Sequence, residues 1–201
     1  MIKNIIFDIG NVLTDFRWRE FLEDKGFDDA KIKEIEKATV MSPYWNEFDR
    51  GALSYDEVMK LFEKENPDIR DDLYKAFGDI HGMVTKRDYA IPWIESLKKA
   101  GYKVYYLSNF SEKAFYECAD SLDFLPYCDG GILSYRELLI KPDEKIYDLL
   151  CKRYSLDPSE CVFIDDTPRN IEAGEKYGIN GIVFKTYDQV NNDLKGMGVS
   201  Y

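Results

Sequence analysis

Cysteine, histidine and long apolar runs are all scarce in this chain, and each scarcity removes a class of protein. The 201 residues hold four cysteines, Cys118, Cys128, Cys151 and Cys161, scattered without CxxC spacing. A chain this long and this poor in cysteine has no need of a disulfide framework, so the four read as buried thiols in a reducing cytosol. The one histidine, His81, lies near a turn with no partner visible in the sequence, and it reads as structural. The opening Met1-Ile2-Lys3-Asn4-Ile5-Ile6-Phe7-Asp8 carries an apolar run much shorter than a signal-peptide core. No other stretch approaches the roughly 20 apolar residues of a membrane span. The expectation is a soluble, cytoplasmic protein.

Cations are in deficit as well. Lys and Arg number 27 against 38 Asp and Glu, a formal charge of −11. That field repels nucleic-acid phosphates and anionic lipid surfaces, so neither is expected as a partner. An anionic small molecule fits only if cationic groups or a metal are gathered at one local site.

What is present is a large apolar fraction, 45% of residues, enough to bury a sizeable core. The short apolar runs divide the chain into three parts. Ile5-Ile6-Phe7, ending at Asp8 and Gly10, reads as a strand buried on both faces. From about 16 to 87 the apolar residues fall at three- and four-residue spacings, as in Val58, Leu61, Phe62 and Leu73, Phe77, a helical block with no convincing strand. Beyond Ile91-Pro92 the pattern alternates. A helix through Trp93, Ile94 and Leu97 stops at Gly101. Strands are predicted at Val104-Tyr105-Tyr106-Leu107, Gly131-Ile132-Leu133, Val162-Phe163-Ile164 and Gly181-Ile182-Val183-Phe184, with helices near 111–121, 142–154 and 168–177. Such alternation predicts an α/β fold with a parallel sheet covered on both faces, into which the helical block is inserted. The polar tail from Tyr187 to Tyr201 either closes on the sheet edge or frays.

The strand ends carry the chemistry. In open parallel sheets ligands bind at the carboxyl edge, and here three strands end in Asp8, in Ser108-Asn109 and in Asp165-Asp166. Each of these residues alone suits a helix cap or a turn. Together they put three carboxylates in one crevice, where they repel unless a cation sits among them; hard oxygen ligands suit Mg²⁺. Lys141, between the apolar run Leu138-Leu139-Ile140 and Pro142, is placed to point into the same crevice.

These residues resemble the haloacid dehalogenase (HAD) superfamily over nearly the whole chain. Phe7-Asp8-Ile9-Gly10-Asn11-Val12-Leu13 looks like its first motif, Leu107-Ser108-Asn109 its second and Lys141-Pro142 its third. Phe163-Ile164-Asp165-Asp166-Thr167-Pro168-Arg169-Asn170 looks like its fourth. The resemblance implies a Rossmann-like core at 1–15 and 88–201 with a small C1-type helical cap at 16–87. It makes Asp8 the nucleophile that becomes an aspartyl-phosphate. Ser108 and Lys141 would hold the phosphate oxygens, with Asn109 helping. Mg²⁺ would be bound by Asp8, the Gly10 carbonyl and Asp166, with Asp165 acting directly or through water. In the cap, Tyr44-Trp45-Asn46-Glu47-Phe48-Asp49-Arg50-Gly51 resembles the family's Arg-Gly segment; Arg50 would reach the substrate or stand as a surface charge, and Trp45 would stack on the substrate or pack in the cap core. Asp15 is expected to fix the hinge.

One departure from the pattern matters. Phosphatases of this family usually carry an Asp two residues after the nucleophile as general acid/base, and this chain has Gly10. That loss is worth about 10²–10⁴-fold. The preferred reading is a Mg²⁺-dependent phosphatase of a small phosphorylated metabolite whose leaving group needs little protonation, such as a sugar 1-phosphate, because the Asp-Ile-Gly-Asn-Val pattern resembles the glucose-1-phosphatase-like branch. The alternative is a non-catalytic protein that keeps the phosphate and metal site. A carbon–halogen hydrolase is disfavoured by Asp165-Asp166, since such enzymes work without metal. A phosphomutase would need the missing acid/base residue. A response-regulator receiver carries its acidic pair on the first strand rather than a late one. The oligomeric state is not legible.

Overall fold

The structure, a computed structural model, describes residues 1–201. The strands are β1 (Asn4–Phe7), β2 (Thr14–Phe16), β3 (Val84–Lys86), β4 (Lys103–Ser108), β5 (Gly130–Leu133), β6 (Cys161–Asp165) and β7 (Asn180–Val183). Five of them form one parallel sheet in the order β5-β4-β1-β6-β7, as the alternating pattern predicts. β1, the first strand in the chain, is central. Its residues alternate faces: Ile5 and Phe7 pack on one side with Val104, Val162 and Trp93, and Ile6 on the other with Leu107, Phe163 and Tyr147. Burial on both faces accounts for the unbroken apolar run that marks it in the sequence.

Between β2 and β3 lie five α-helices, α1 (Trp18–Asp24), α2 (Asp29–Ala38), α3 (Pro43–Arg50), α4 (Tyr55–Glu65) and α5 (Arg70–Phe77). Their caps are those the sequence offers: Asp28 accepts from Lys31 N, Ser42 from Tyr44 N, and Ser54 forms a reciprocal capping box with Glu57. Their apolar faces meet in a core of Trp18, Phe21, Ile35, Phe62, Leu73 and Phe77 that is continuous with the core under the sheet.

The structure departs from the expectation of no strand in this region. β2 and β3 pair antiparallel at the two ends of the insertion, Thr14 opposite Lys86 and Phe16 opposite Val84. Three-residue strands are too short to show a period of two, and this ribbon is specified by its partner rather than by its own pattern. Asp15 sits in it, paired with Arg87 at 2.7 Å, which fastens the two chain crossings to one another.

The remaining helices are α6 (Ala90–Lys99), α7 (Glu112–Glu117), α8 (Ser134–Glu137), α9 (Glu144–Tyr154), α10 (Pro168–Tyr177) and α11 (Tyr187–Gly196). α6 and α11 bury Trp93, Ile94, Val190 and Leu194 on the β1 Phe7 side; α9 and α10 bury Ile146, Tyr147, Leu150 and Ile171 on the other. The tail does not fray. A Thr186–Gln189 capping box starts α11, and Tyr201 accepts a hydrogen bond from the Trp93 indole at 2.8 Å. Cys118, Cys151 and Cys161 are buried, Cys128 is half-buried, and none forms a disulfide. No helix is long and apolar enough to cross a membrane.

Candidate active site

The order β5-β4-β1-β6-β7 reverses direction at β1, and a crevice opens beyond the carboxyl ends of β1 and its neighbours. Because Phe7 pairs with both Tyr106 and Ile164, Asp8, Ser108 and Asp165 leave the sheet at nearly one level. Asp8 N donates to the Ile164 carbonyl at 2.8 Å, which locks the end of β1 against β6.

At the centre is a buried ion triad. Lys141 Nζ lies 2.9 Å from Asp8 Oδ1 and 2.6 Å from Asp165 Oδ2, with Lys141 2% and Asp165 0% exposed. Burial alone would lower the lysine's pKa, but Asp165 and Asp8 together raise it above its ordinary value, so the ammonium stays charged. Asp8 shows the opposite balance. Its burial pushes the carboxyl up to about 7 against the pull of Lys141 and Ser108, with the Asp165 charge adding to the rise.

Asp165 is fully engaged. Besides Lys141 it accepts from Thr167 N at 2.8 Å and from the Asn170 amide at 3.1 Å on both oxygens. Asp166 is less enclosed. It accepts from Asn11 Nδ2 at 2.9 Å and lines, with Asp8 and Gly10, a cavity of about 210 Å³. Asn109 also borders this cavity, but its side chain is tied to the Lys141 backbone, donating to the carbonyl at 3.0 Å and accepting from the amide at 2.8 Å. It therefore orients the lysine. Ser108, 1% exposed, ends β4 beside Asp8.

Arg50 lies outside the cavity. Its guanidinium turns to Glu47 at 3.3 Å and does not line the cavity, whereas the residue before it does. Successive residues of a helix point about 100° apart, and the α3 face toward the cavity carries Trp45 and Asp49, four residues apart. Trp45 packs against Trp18, Phe48 and Phe77 and also borders the cavity. Burial pushes the Asp49 carboxyl up to about 7, with the nearby Asp8 charge adding to the rise and the Trp45 indole and Lys141 opposing it.

Sequence reasoning missed Asp49, Asn11 and Asn170. All three lie inside segments singled out by their resemblance to the family, so a signal was present. Asn11 holds a left-handed backbone at φ 57°, bonds Asp166 and accepts from Phe16 N at 3.1 Å, tying the site to the ribbon that enters the insertion. His81 is exposed and contacts only the Glu117 backbone through its ring.

Residues 2–178 match the haloacid dehalogenase-like hydrolases, and the chain belongs to this family. It is 29% identical over 206 residues to D-ribitol-5-phosphate phosphatase from Bacteroides thetaiotaomicron, with 95% of this chain and 93% of that protein covered. A HAD-like hydrolase of Porphyromonas gingivalis superposes with a TM-score of 0.74 at 21% identity over the full length of both chains. A HAD enzyme of Bacteroides thetaiotaomicron, crystallised with magnesium and inorganic phosphate, gives a TM-score of 0.71 at 20% identity, covering 94% of this chain and 99% of that one.

Proposed function

We propose that this protein is a Mg²⁺-dependent phosphatase of a small phosphorylated metabolite, with Asp8 as nucleophile. The observation that carries it is the buried Asp8–Lys141–Asp165 triad opening onto a cavity also lined by Asp166. The relatives named above, a ribitol phosphate phosphatase and an enzyme holding magnesium and phosphate, support the same chemistry. The helices between β2 and β3 act as the cap, covering the cavity and excluding water.

The donor set fits a hard cation. Carboxylate oxygens of Asp8, Asp165 and Asp166 lie within 4.8 Å of one another, with no nitrogen or sulfur ligand among them. Asp165 is already spent on Lys141 and Asn170, so Asp8, Asp166 and the Gly10 carbonyl are the proposed ligands. Bound there, Mg²⁺ would neutralise charge on the phosphoryl oxygens and hold them in line. Lys141 and Ser108 take the phosphate oxygens and Asp8 attacks phosphorus, with charge stabilisation by fixed groups doing most of the catalysis. The substrate body is short, because the cavity is small and mixed in lining, with Trp45, Phe16 and Phe110 beside Asn11 and Ser111. Sugar and polyol phosphates, the 1-phosphates included, are the class we favour.

The test is phosphate release from a panel of sugar and polyol phosphates, with Mg²⁺ and with chelator. Metal-dependent release supports the reading. Gly10 favours a second one, a phosphate-binding protein without turnover, which saturable binding and a silent panel would establish.

The metal also couples to stability. Both Asp8 and Asp49 rise from an ordinary 3.8 to about 7, so the metal-free fold binds protons that the unfolded chain has released. Stability from these groups is therefore lost as pH rises through that window. Melting in chelator is expected to be higher near pH 6 than near pH 8, with Mg²⁺ narrowing the gap by favouring the ionised Asp8. An equal melting temperature at both pH values in chelator would contradict this.

A further inference from the structure

Gly10 leaves open space in the candidate site. A Cβ added at Gly10 would meet nothing within 4 Å, so the space where a side chain would stand is open and belongs to the cavity. Three carboxylates line that cavity: Asp8, Asp166 and, from α3 of the insertion, Asp49. Asp8 is paired with Lys141 and Asp166 with Asn11, whereas the Asp49 carboxyl forms no ion pair.

We propose that Asp49 is the acid/base residue of this active site, taking from the cap side the role that Gly10 cannot supply. The proposal rests on the phosphatase reading above. As an Asp8 oxygen bonds to phosphorus, the bond from phosphorus to the leaving oxygen breaks and its electron pair takes the proton of Asp49. The alcohol departs, leaving aspartyl-phosphate on Asp8 and a carboxylate at Asp49. Water then attacks phosphorus and gives a proton to Asp49, while the bond to Asp8 breaks and inorganic phosphate leaves. Both carboxyls return to their starting states.

Position and environment agree with this role. The Ser134 hydroxyl, buried in α8, donates to the Asp49 carbonyl, and Phe110 N donates to the same hydroxyl at 2.8 Å. Gly51 ends α3 at φ 79°, and a Cβ there would lie 2.4 Å from the Tyr135 carbonyl, so α3 is seated directly on α8. Asp49 is thus fixed to the core of the site even though it comes from the insertion. A carboxyl held near 7 both gives and takes a proton at neutral pH.

The test compares wild type with Asp49→Asn on an alkyl phosphate and on nitrophenyl phosphate, whose leaving oxygen departs as a stable anion. On the alkyl phosphate kcat is expected to fall about 10²–10⁴-fold with little change in KM. On nitrophenyl phosphate the variant is expected to release nitrophenolate in a rapid burst stoichiometric with enzyme, then turn over slowly, because only the water step still needs the base. Gly10→Asp in the Asp49→Asn background is expected to restore alkyl phosphate turnover at least partly. Wild-type kcat in Asp49→Asn, or a rise in KM alone, overturns the proposal and leaves the phosphatase reading intact. An inactive wild type that Asp8→Asn leaves unchanged removes the phosphatase reading itself.

Discussion

Asp8→Asn is expected to abolish phosphate release, a fall of roughly 10⁴-fold or more, because the proposed function makes this carboxylate the group that forms the covalent intermediate. The fold should survive. Lys141 keeps Asp165 at 2.6 Å, and the substitution replaces a costly buried carboxylate by a neutral amide of similar size. Burial is the largest influence on Asp8 and raises its carboxyl, so removing the charge relieves a strain at neutral pH rather than adding one. The melting temperature of Asp8→Asn at pH 7 is therefore expected to equal or exceed that of the wild type. Two measurements decide the matter, phosphate release and a thermal melt on the same preparation. Retained turnover sinks the nucleophile assignment; lost turnover with a collapsed melt would make the loss structural.

Lys141→Met is expected to do the reverse, damaging stability and activity together. The ammonium is 2% exposed and serves two carboxylates at 2.9 and 2.6 Å, so its removal leaves Asp8 and Asp165 buried, adjacent and without a counter-charge. Breaking a buried ion pair from one side costs about 3–5 kcal/mol, a large share of a domain's total. The loss is pH-dependent in a defined direction. Lys141 holds the Asp8 carboxyl down, so without the lysine Asp8 binds its proton more tightly in the folded state, and the deficit shrinks on acidification below neutrality and grows as pH rises. Urea unfolding at two pH values measures it. Lys141→Arg is not expected to rescue, because a planar guanidinium cannot fill the place of a compact ammonium between the two carboxylates. A Lys141→Met protein as stable as wild type would show that the triad is not the electrostatic centre of the fold.

Much of this architecture was legible residue by residue. The five parallel strands are visible because burial on both faces demands unbroken apolar runs, and β1 through Ile5-Ile6-Phe7 is the clearest case. Asp8, Ser108 and Asp165 are legible as neighbours because each closes such a run, and the ends of adjacent parallel strands must lie together. β2 and β3 were not legible, since three residues carry no periodic signal and their pairing spans the whole insertion. α11 was hidden by its polar composition; it fully buries only Val190 and Leu194, with Tyr187 packed beside them. Arg50 illustrates a different limit. Its segment was found, but one residue along a helix turns a side chain by about 100°, and Asp49 rather than Arg50 meets the cavity.

The sequence by itself determined the family, the parallel sheet, the inserted helices and the acidic strand ends, all of which are written in short-range patterns of polarity. Only the tertiary structure decided how the charges divide. Asp165 is spent on Lys141, Asn170 and Thr167, Asp166 is left bordering the cavity, and Asn109 is committed to the Lys141 backbone. It also decided that a carboxyl from the insertion, Asp49, lines the same cavity as Gly10. These outcomes depend on the packing of α3 against α8, elements about 85 residues apart in the chain, and no local pattern of side chains encodes a contact at that separation.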